Sequence, residues 1–423
     1  MKVLIISHNP LSTYQSMGKT LLSLFSEFER EELYQLYVYP SVPDVDKCQS
    51  YYRITDKSVA KGVFTRRVRS KIVEPNLEHH MKFENEGDKA LYSNPKNSKS
   101  FRLFVRDIMW KVSPWWNKDL TNWLDQVKPD CIFLAPGNCA FIYNIALKVA
   151  KIYDIGIVSY ICDEYYFIKT PKGILEKIRT SFVRKKIAET MRKSVGIVAI
   201  CKELEQEYAK GFNKKTVTIM TGTNHSISNK VHVKFPVSAI TFMGNLACNR
   251  DNSAYDIGKA LDQINDERGT DYKLIIYTGV SDTIKERFKD IKSIELHDFI
   301  SGKEFENIFW NVDMFLHIED FHEDSIDRVK HSVSTKIADI MASGIPLFAY
   351  GPEVVASMGH LIRNNCAVCA VDKGELREML LSGLSDEKMM EKVAYNGLKV
   401  AQYYHNSSHN SIKLIHFLEG CLK

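Results

Sequence analysis

Of 423 residues, 44% are hydrophobic and 26% charged, with a net charge of +5. That balance fits a soluble globular chain of two domains, three at most. It excludes a strongly basic nucleic-acid binder, so no nucleic acid is expected as a partner. No apolar run approaches the ~20 residues of a spanning helix, and the run from Val3 to Ile6 is too short for a secretory core. Nine scattered cysteines suit a reduced, cytoplasmic protein.

In chain order, "KVLII" (2–6) reads as a buried parallel strand. Residues 17–30 follow, with Leu21, Leu24, Phe25 and Phe28 at helical spacing. "LYQLYVYP" (33–40) is a second strand. Between the first two elements, Gly18-Lys19-Thr20 ends like a phosphate-binding P-loop. That loop needs a glycine five positions before Gly18; the residue is Thr13, and no glycine precedes Gly18. What remains is a helix start with Ser16 as its cap and Gly18 clearing its first turn, able to attract an anion. No Gly-x-Gly-x-x-Gly occurs, which argues against a dinucleotide cofactor. "DVD" (44–46) has the form of a metal-binding pair but follows Pro43 outside any strand, and reads as a solvated loop.

"YYRITD" is a candidate strand, and 85–100 reads as loop. Trp110, Trp115, Trp116 and Trp123 cluster in 101–125 and read as core rather than as a sugar- or membrane-binding surface. Strands and helices then alternate: "KPDCIFLAPGN", "AFIYNIALKVAKIYD", "GIVSYICDE". The segment 172–193 has eight Lys/Arg against two Glu, enough to rest on anionic lipid. Its apolar residues mark two nearly opposite faces, Ile174, Ile178 and Phe182 against Val183, Ile187 and Met191. A partly buried helix with a solvated edge is therefore the preferred reading. "VGIVAICKELEQEYAKGF" and "TVTIMTGTN" continue the pattern to a polar connector at 222–236. A second alternating series follows, from "SAITFMGNL" to the end. Cys366 and Cys369 fall in a buried strand, with no partner pair to complete a metal site. The fold class is α/β, with two parallel-sheet units covered on both faces.

"DFHEDSIDRVKHSVSTKIADIMASGIPLFAYGPE" (320–353) carries the most chemistry. Ser334 and Thr335 precede an apolar-periodic helix, and Lys336 lies in its first turn, where a cation is unfavourable unless an anion compensates. Asp339 lies about one turn, ~5.4 Å, further along. Gly344 suits a left-handed helix end, followed by Pro346. The pattern suits a nucleoside diphosphate, with phosphate over the amides of Ser334 and Thr335, Lys336 as counter-charge and Asp339 on the ribose.

"FMGNLACNRDN" and "STKI…ASGIP…YGP", on two α/β units, resemble the bacterial nucleotide-sugar glycosyltransferases of GT-B fold, of the capsule, O-antigen and exopolysaccharide type. The resemblance implies two Rossmann-like domains, 1–225 for the acceptor and 237–400 for the donor, with 401–423 a helix returning to the first. It implies transfer from a nucleotide diphosphate sugar to a glycan or lipid-linked acceptor, without metal or other cofactor, and favours retention over inversion. A nucleotide-sugar 2-epimerase of the same fold and a non-catalytic glycan-assembly partner are the alternatives. Carried over, Ser334, Thr335 and Lys336 would meet the diphosphate, Asp339 the ribose, Gly244 would open the phosphate loop, and Arg250 would hold the basic position. Two positions depart from the family: Asn245 stands where an Arg often follows the glycine, and His331 where a Glu precedes the second acid by eight residues. Glu323, Asp324 or Asp327 could replace that Glu. Asp163, ending the strand of "SYICDEYY", is the candidate for touching acceptor or sugar. The expected location is cytoplasmic, with peripheral contact at the inner face of the plasma membrane as a further option.

Overall fold

The computed structural model describes residues 1–13, 16–78, 99–167, 173–223 and 225–422. The loop expected before residue 99, together with Lys172 and Asn224, lies outside them. Two compact units result, one of Met1–Met220 with Ser407–Lys423, the other of Thr221–Asn406.

In the first unit, β1 (Val3–Ser7) is buried along its whole length. It pairs in parallel with β2 (Leu33–Tyr37) on one side and β5 (Cys131–Ala135) on the other. With β3 (Ser50–Arg53), β4 (Lys71–Ile72), β6 (Gly156–Ile161), β7 (Ser194–Ala199) and β8 (Thr216–Thr218), the order is β4-β3-β2-β1-β5-β6-β7-β8. Only the β3–β4 pair is antiparallel. Continuous apolar runs such as "VLII" form these strands because helices cover both sheet faces. The closing helix, Ser407–Leu422, packs on helix Ser16–Leu24 and on β6 and β7.

The second unit has an all-parallel sheet of order β11-β10-β9-β12-β13-β14. Its strands are β9 (Ala239–Met243), β10 (Lys273–Tyr277), β11 (Ile294–His297), β12 (Met314–Ile318), β13 (Leu347–Tyr350) and β14 (Val368–Ala370). Each sheet reverses its strand order once, between β1 and β5 and between β9 and β12. In open parallel sheets, ligands gather at the carboxyl ends of the strands at such a reversal.

Several local expectations change. The first helix stops at Leu24. Phe25 and Phe28 continue its spacing, but as a turn whose rings pack edge-on at 5.0 Å, with Phe25 also 5.0 Å from Phe133. Core packing, not helix, sets that periodicity. "DVD" is not a solvated loop: Asp44 is 3% exposed and accepts hydrogen bonds from the amide and hydroxyl of Thr13. Trp110, Trp115 and Trp123 are buried, as core residues should be, whereas Trp116 is only partly buried, with Lys148 Nζ 4.6 Å from its ring. Two short helices, Glu323–Val329 and Ala356–Arg363, lacked a readable pattern. Gly344 ends helix Thr335–Ser343 at φ +73°, with a virtual Cβ only 2.6 Å from the Lys230 carbonyl. No helix among the described residues is long and apolar enough to cross a membrane.

Candidate active site

The reversal between β9 and β12 gathers the groups of interest in the second unit. Gly244 directly follows β9, and its amide donates to the Tyr277 carbonyl at 2.9 Å. A Cβ on Gly244 would overlap Lys336 Nζ. The lysine side chain thus rests directly against the glycine, and its ammonium also faces the Phe242 ring at 5.9 Å. Two motifs separated by more than ninety residues meet at this point.

Lys336 lies in the first turn of helix Thr335–Ser343. Ser334 occupies the N-cap but its side chain makes no capping bond. The Ile337 amide turns back to the Ser334 carbonyl at 3.1 Å, and the positive end of the helix faces outward from this turn, which suits an anion. Asn245 is exposed and accepts the Ala247 amide through its own Oδ1 at 3.2 Å. Cys248 and Asn249 then take φ +60° and +58° in succession, a left-handed pair that L-residues seldom adopt. Through this turn Arg250 opens helix Arg250–Arg268 beneath the loop.

Arg250 is already engaged. Its Nε and Nη2 hold Glu319 at 3.0 Å each, and Nε also reaches the Ile318 carbonyl at 3.1 Å. Glu319 directly follows β12 and is 2% exposed. Burial pushes its carboxyl up, while the charge and hydrogen bonds of Arg250 pull it back. His317, two residues earlier on the same strand, sits 3.0 Å from Ser357 Oγ. Burial, then the charges of Arg250 and Lys336, lower it to about 3, so the imidazole is neutral. Glu319, His317 and Ser357 did not stand out in the sequence. The available signal was an acid immediately following a buried apolar strand, "FLHIE". Glu323, Asp324 and Asp327 are all exposed on or beside a separate short helix.

Asp339 lies one turn beyond Lys336 and accepts the Thr223 hydroxyl at 2.8 Å. His331 is buried, 8% exposed, in the turn after helix Glu323–Val329.

In the first unit, Gly18 is buried, and a Cβ there would lie 2.6 Å from the Pro10 carbonyl and 2.7 Å from Ser12 Cβ. This packing supplies an internal reason for the glycine. Asp163 accepts the Tyr165 hydroxyl at 3.1 Å. Its neighbour Glu164 is the more perturbed acid. One oxygen accepts the amides of Tyr166 and Phe167, while Oε2 is buried. A carboxylate oxygen of Glu207 lies within 4.8 Å of one on Glu164. Burial raises the Glu164 carboxyl to about 7, with Glu207 adding to the rise.

No family model matches the chain and no curated protein sequence does. Solved structures do match. Anabaena Alr3699/HepE, solved in complex with UDP, aligns over 99% of this chain and 100% of its own, with TM-score 0.62 and 10% identity. Sucrose-phosphate synthase from Thermosynechococcus elongatus aligns over 99% of both chains, at 0.61 and 9%. UDP-GlcNAc 2-epimerase from Neisseria meningitidis, bound to UDP-GlcNAc, aligns over 99% and 100%, at 0.51 and 12%. At these identities the likeness concerns the fold, and the chain has the two-unit α/β architecture called GT-B.

Proposed function

We propose that the protein is a glycosyltransferase that moves a sugar from a nucleotide diphosphate donor to a glycan or lipid-linked acceptor in cell-surface polysaccharide assembly. The observation that carries this is Lys336 Nζ lying against Gly244 at a helix start whose N-cap side chain makes no capping bond. Breaking a sugar–phosphate bond builds negative charge on the leaving diphosphate, and catalysis consists largely of stabilising that charge. Lys336 and the start of helix Thr335–Ser343 supply fixed positive potential for it, while Arg250, paired with Glu319, braces the loop after Gly244. Asp339 is assigned to the ribose, and Asp163 and Glu164 to the acceptor unit. UDP bound to HepE supports a uridine donor as the first to test.

The experiment is calorimetric titration with UDP and UDP-sugars, followed by transfer assays. We expect UDP binding that Lys336→Ala weakens about 10- to 100-fold, the worth of a charge-assisted hydrogen bond. Unchanged affinity in that variant removes the site. The epimerase neighbour supports a second reading within the fold. Conversion of UDP-GlcNAc without acceptor would select it over transfer.

A further inference from the structure

Helix Lys99–Val112 has two contrasting faces. Its inner face is anchored: Trp110 stacks on Phe141 at 4.3 Å. Asp107 accepts the Ala140 amide at 2.9 Å and faces Arg179 of helix Ile174–Lys193 at 3.4 Å. The outer face carries Phe101, Val105, Ile108 and Val112, exposed by 52, 36, 43 and 52%. At 3.6 residues per turn these four fall within an arc of roughly 60°. Arg102 and Lys111, both exposed, flank that arc at about 90° on either side. Helix Ile174–Lys193 packs alongside. It adds Ile174 and Ile178, 76 and 53% exposed, with Lys177 and Lys185 also exposed.

Single exposed apolar residues need no explanation, but a continuous stripe does. Charge selects its partner. Helix Asp56–Thr65, which also packs on Lys99–Val112, together with residues 101–112 and 174–193, holds twelve Lys/Arg against four Asp/Glu. That is a net +8 in a chain whose total is +5. A purely electrostatic contact has no use for Phe, Val and Ile at its centre. An apolar stripe bordered by cations matches a headgroup layer, with the stripe in the acyl boundary and the cations at the phosphates.

We infer that the first unit docks on an anionic lipid surface through helix Lys99–Val112, with the start of helix Ile174–Lys193 beside it. The basic helix Ile174–Lys193 is thus the flank of the surface and not its centre. The inference deepens the lipid-linked acceptor reading and is tested apart from it, because vesicle binding is measured without donor.

The full chain is sedimented with vesicles of equal parts phosphatidylglycerol and phosphatidylcholine, and with phosphatidylcholine alone. Binding is expected only to the anionic vesicles, and weaker in high salt. Phe101→Ser with Ile108→Ser should weaken it about tenfold per residue, and Lys177→Gln with Lys185→Gln about fivefold per charge. Circular dichroism and melting of these exposed-site variants should match the parent. The inference is overturned by absent binding, by equal binding to neutral vesicles, or by a stripe variant that sediments like the parent. The last result would mark a charge-only surface suited to an acidic protein.

Discussion

Arg250 and Lys336 are two cations near one buried histidine, yet they stand in different relations to the fold. Arg250 neutralises a carboxylate at 2% exposure. Removing one member of a buried pair costs about 3–5 kcal/mol, because the remaining charge is stranded. Lys336 is exposed, and truncating a surface side chain shifts stability by no more than about 0.5 kcal/mol. Arg250→Ala should therefore lower the melting temperature strongly, and Lys336→Ala should leave it in place while reducing donor affinity. Calorimetry and titration on both variants test this, and similar melting losses would refute it. Glu164 makes a second residue-scale claim. Its folded pKa, about 7, lies above the ordinary carboxyl value of 4.5. The folded chain therefore binds the extra proton, and stability falls as pH rises from 4.5 to 7. Glu164→Gln should flatten that slope and raise stability at pH 8 by about 1–3 kcal/mol. Urea melts across this range provide the measurement.

At the scale of elements, two buried histidines join the end of helix Glu387–Tyr404 to helix Ala356–Arg363. His405 Nδ1 donates to the Thr221 carbonyl at 2.8 Å, so its Nε2 must accept, and His360 Nε2–H donates to it at 3.3 Å. That leaves His360 Nδ1 as acceptor for Asn364 at 3.4 Å. Burial lowers His405 to about 4 and His360 to about 3. Both are neutral when folded and charge when unfolded below 6.5. Their contribution is complete above pH 6.5 and is lost as pH falls toward 4, at up to ~1.4 kcal/mol per pH unit for each. Denaturant midpoints of His405→Asn should show a shallower loss over that window. A parallel loss would mean that the imidazoles do not titrate on unfolding. This pair was invisible in the sequence, because its members lie 45 residues apart with no shared motif. The strands and the "STKIADIMASG" helix were readable, because apolar runs and caps are local signals. Asp44 was misjudged because an acid in a loop resembles solvent-facing sequence until its long-range neighbour, Thr13, is placed. Glu319 was missed because burial, not spacing, distinguishes it from the acids that follow.

For the whole molecule, each sheet reverses its order once, and the reversal in the second sheet brings residues near 244, 319 and 336 together. Their meeting depends on the reversal between β9 and β12 as well as on the motif. The first unit closes only with residues 407–422, whose buried Leu414, Phe417 and Leu418 pack on β6, β7 and the first helix. A chain ending at Asn406 should lose cooperative unfolding of the first unit and keep that of the second. Proteolysis with mass spectrometry would detect this, and equal protection of both units would contradict it.

The split of the first unit also sets an order of events at the ribosome. Its 220 leading residues emerge first, but the helix that completes them is encoded after the entire second unit. At about 5–20 residues per second, the apolar groove awaiting Phe417 stays open for on the order of 10–40 seconds. Gly196 lies in that groove, where a Cβ would fall 2.6 Å from Cys421 Sγ and 2.9 Å from the Phe417 ring. A larger residue there would act late, after both units are otherwise made, and would leave a chain whose second unit folds on schedule while its first cannot close.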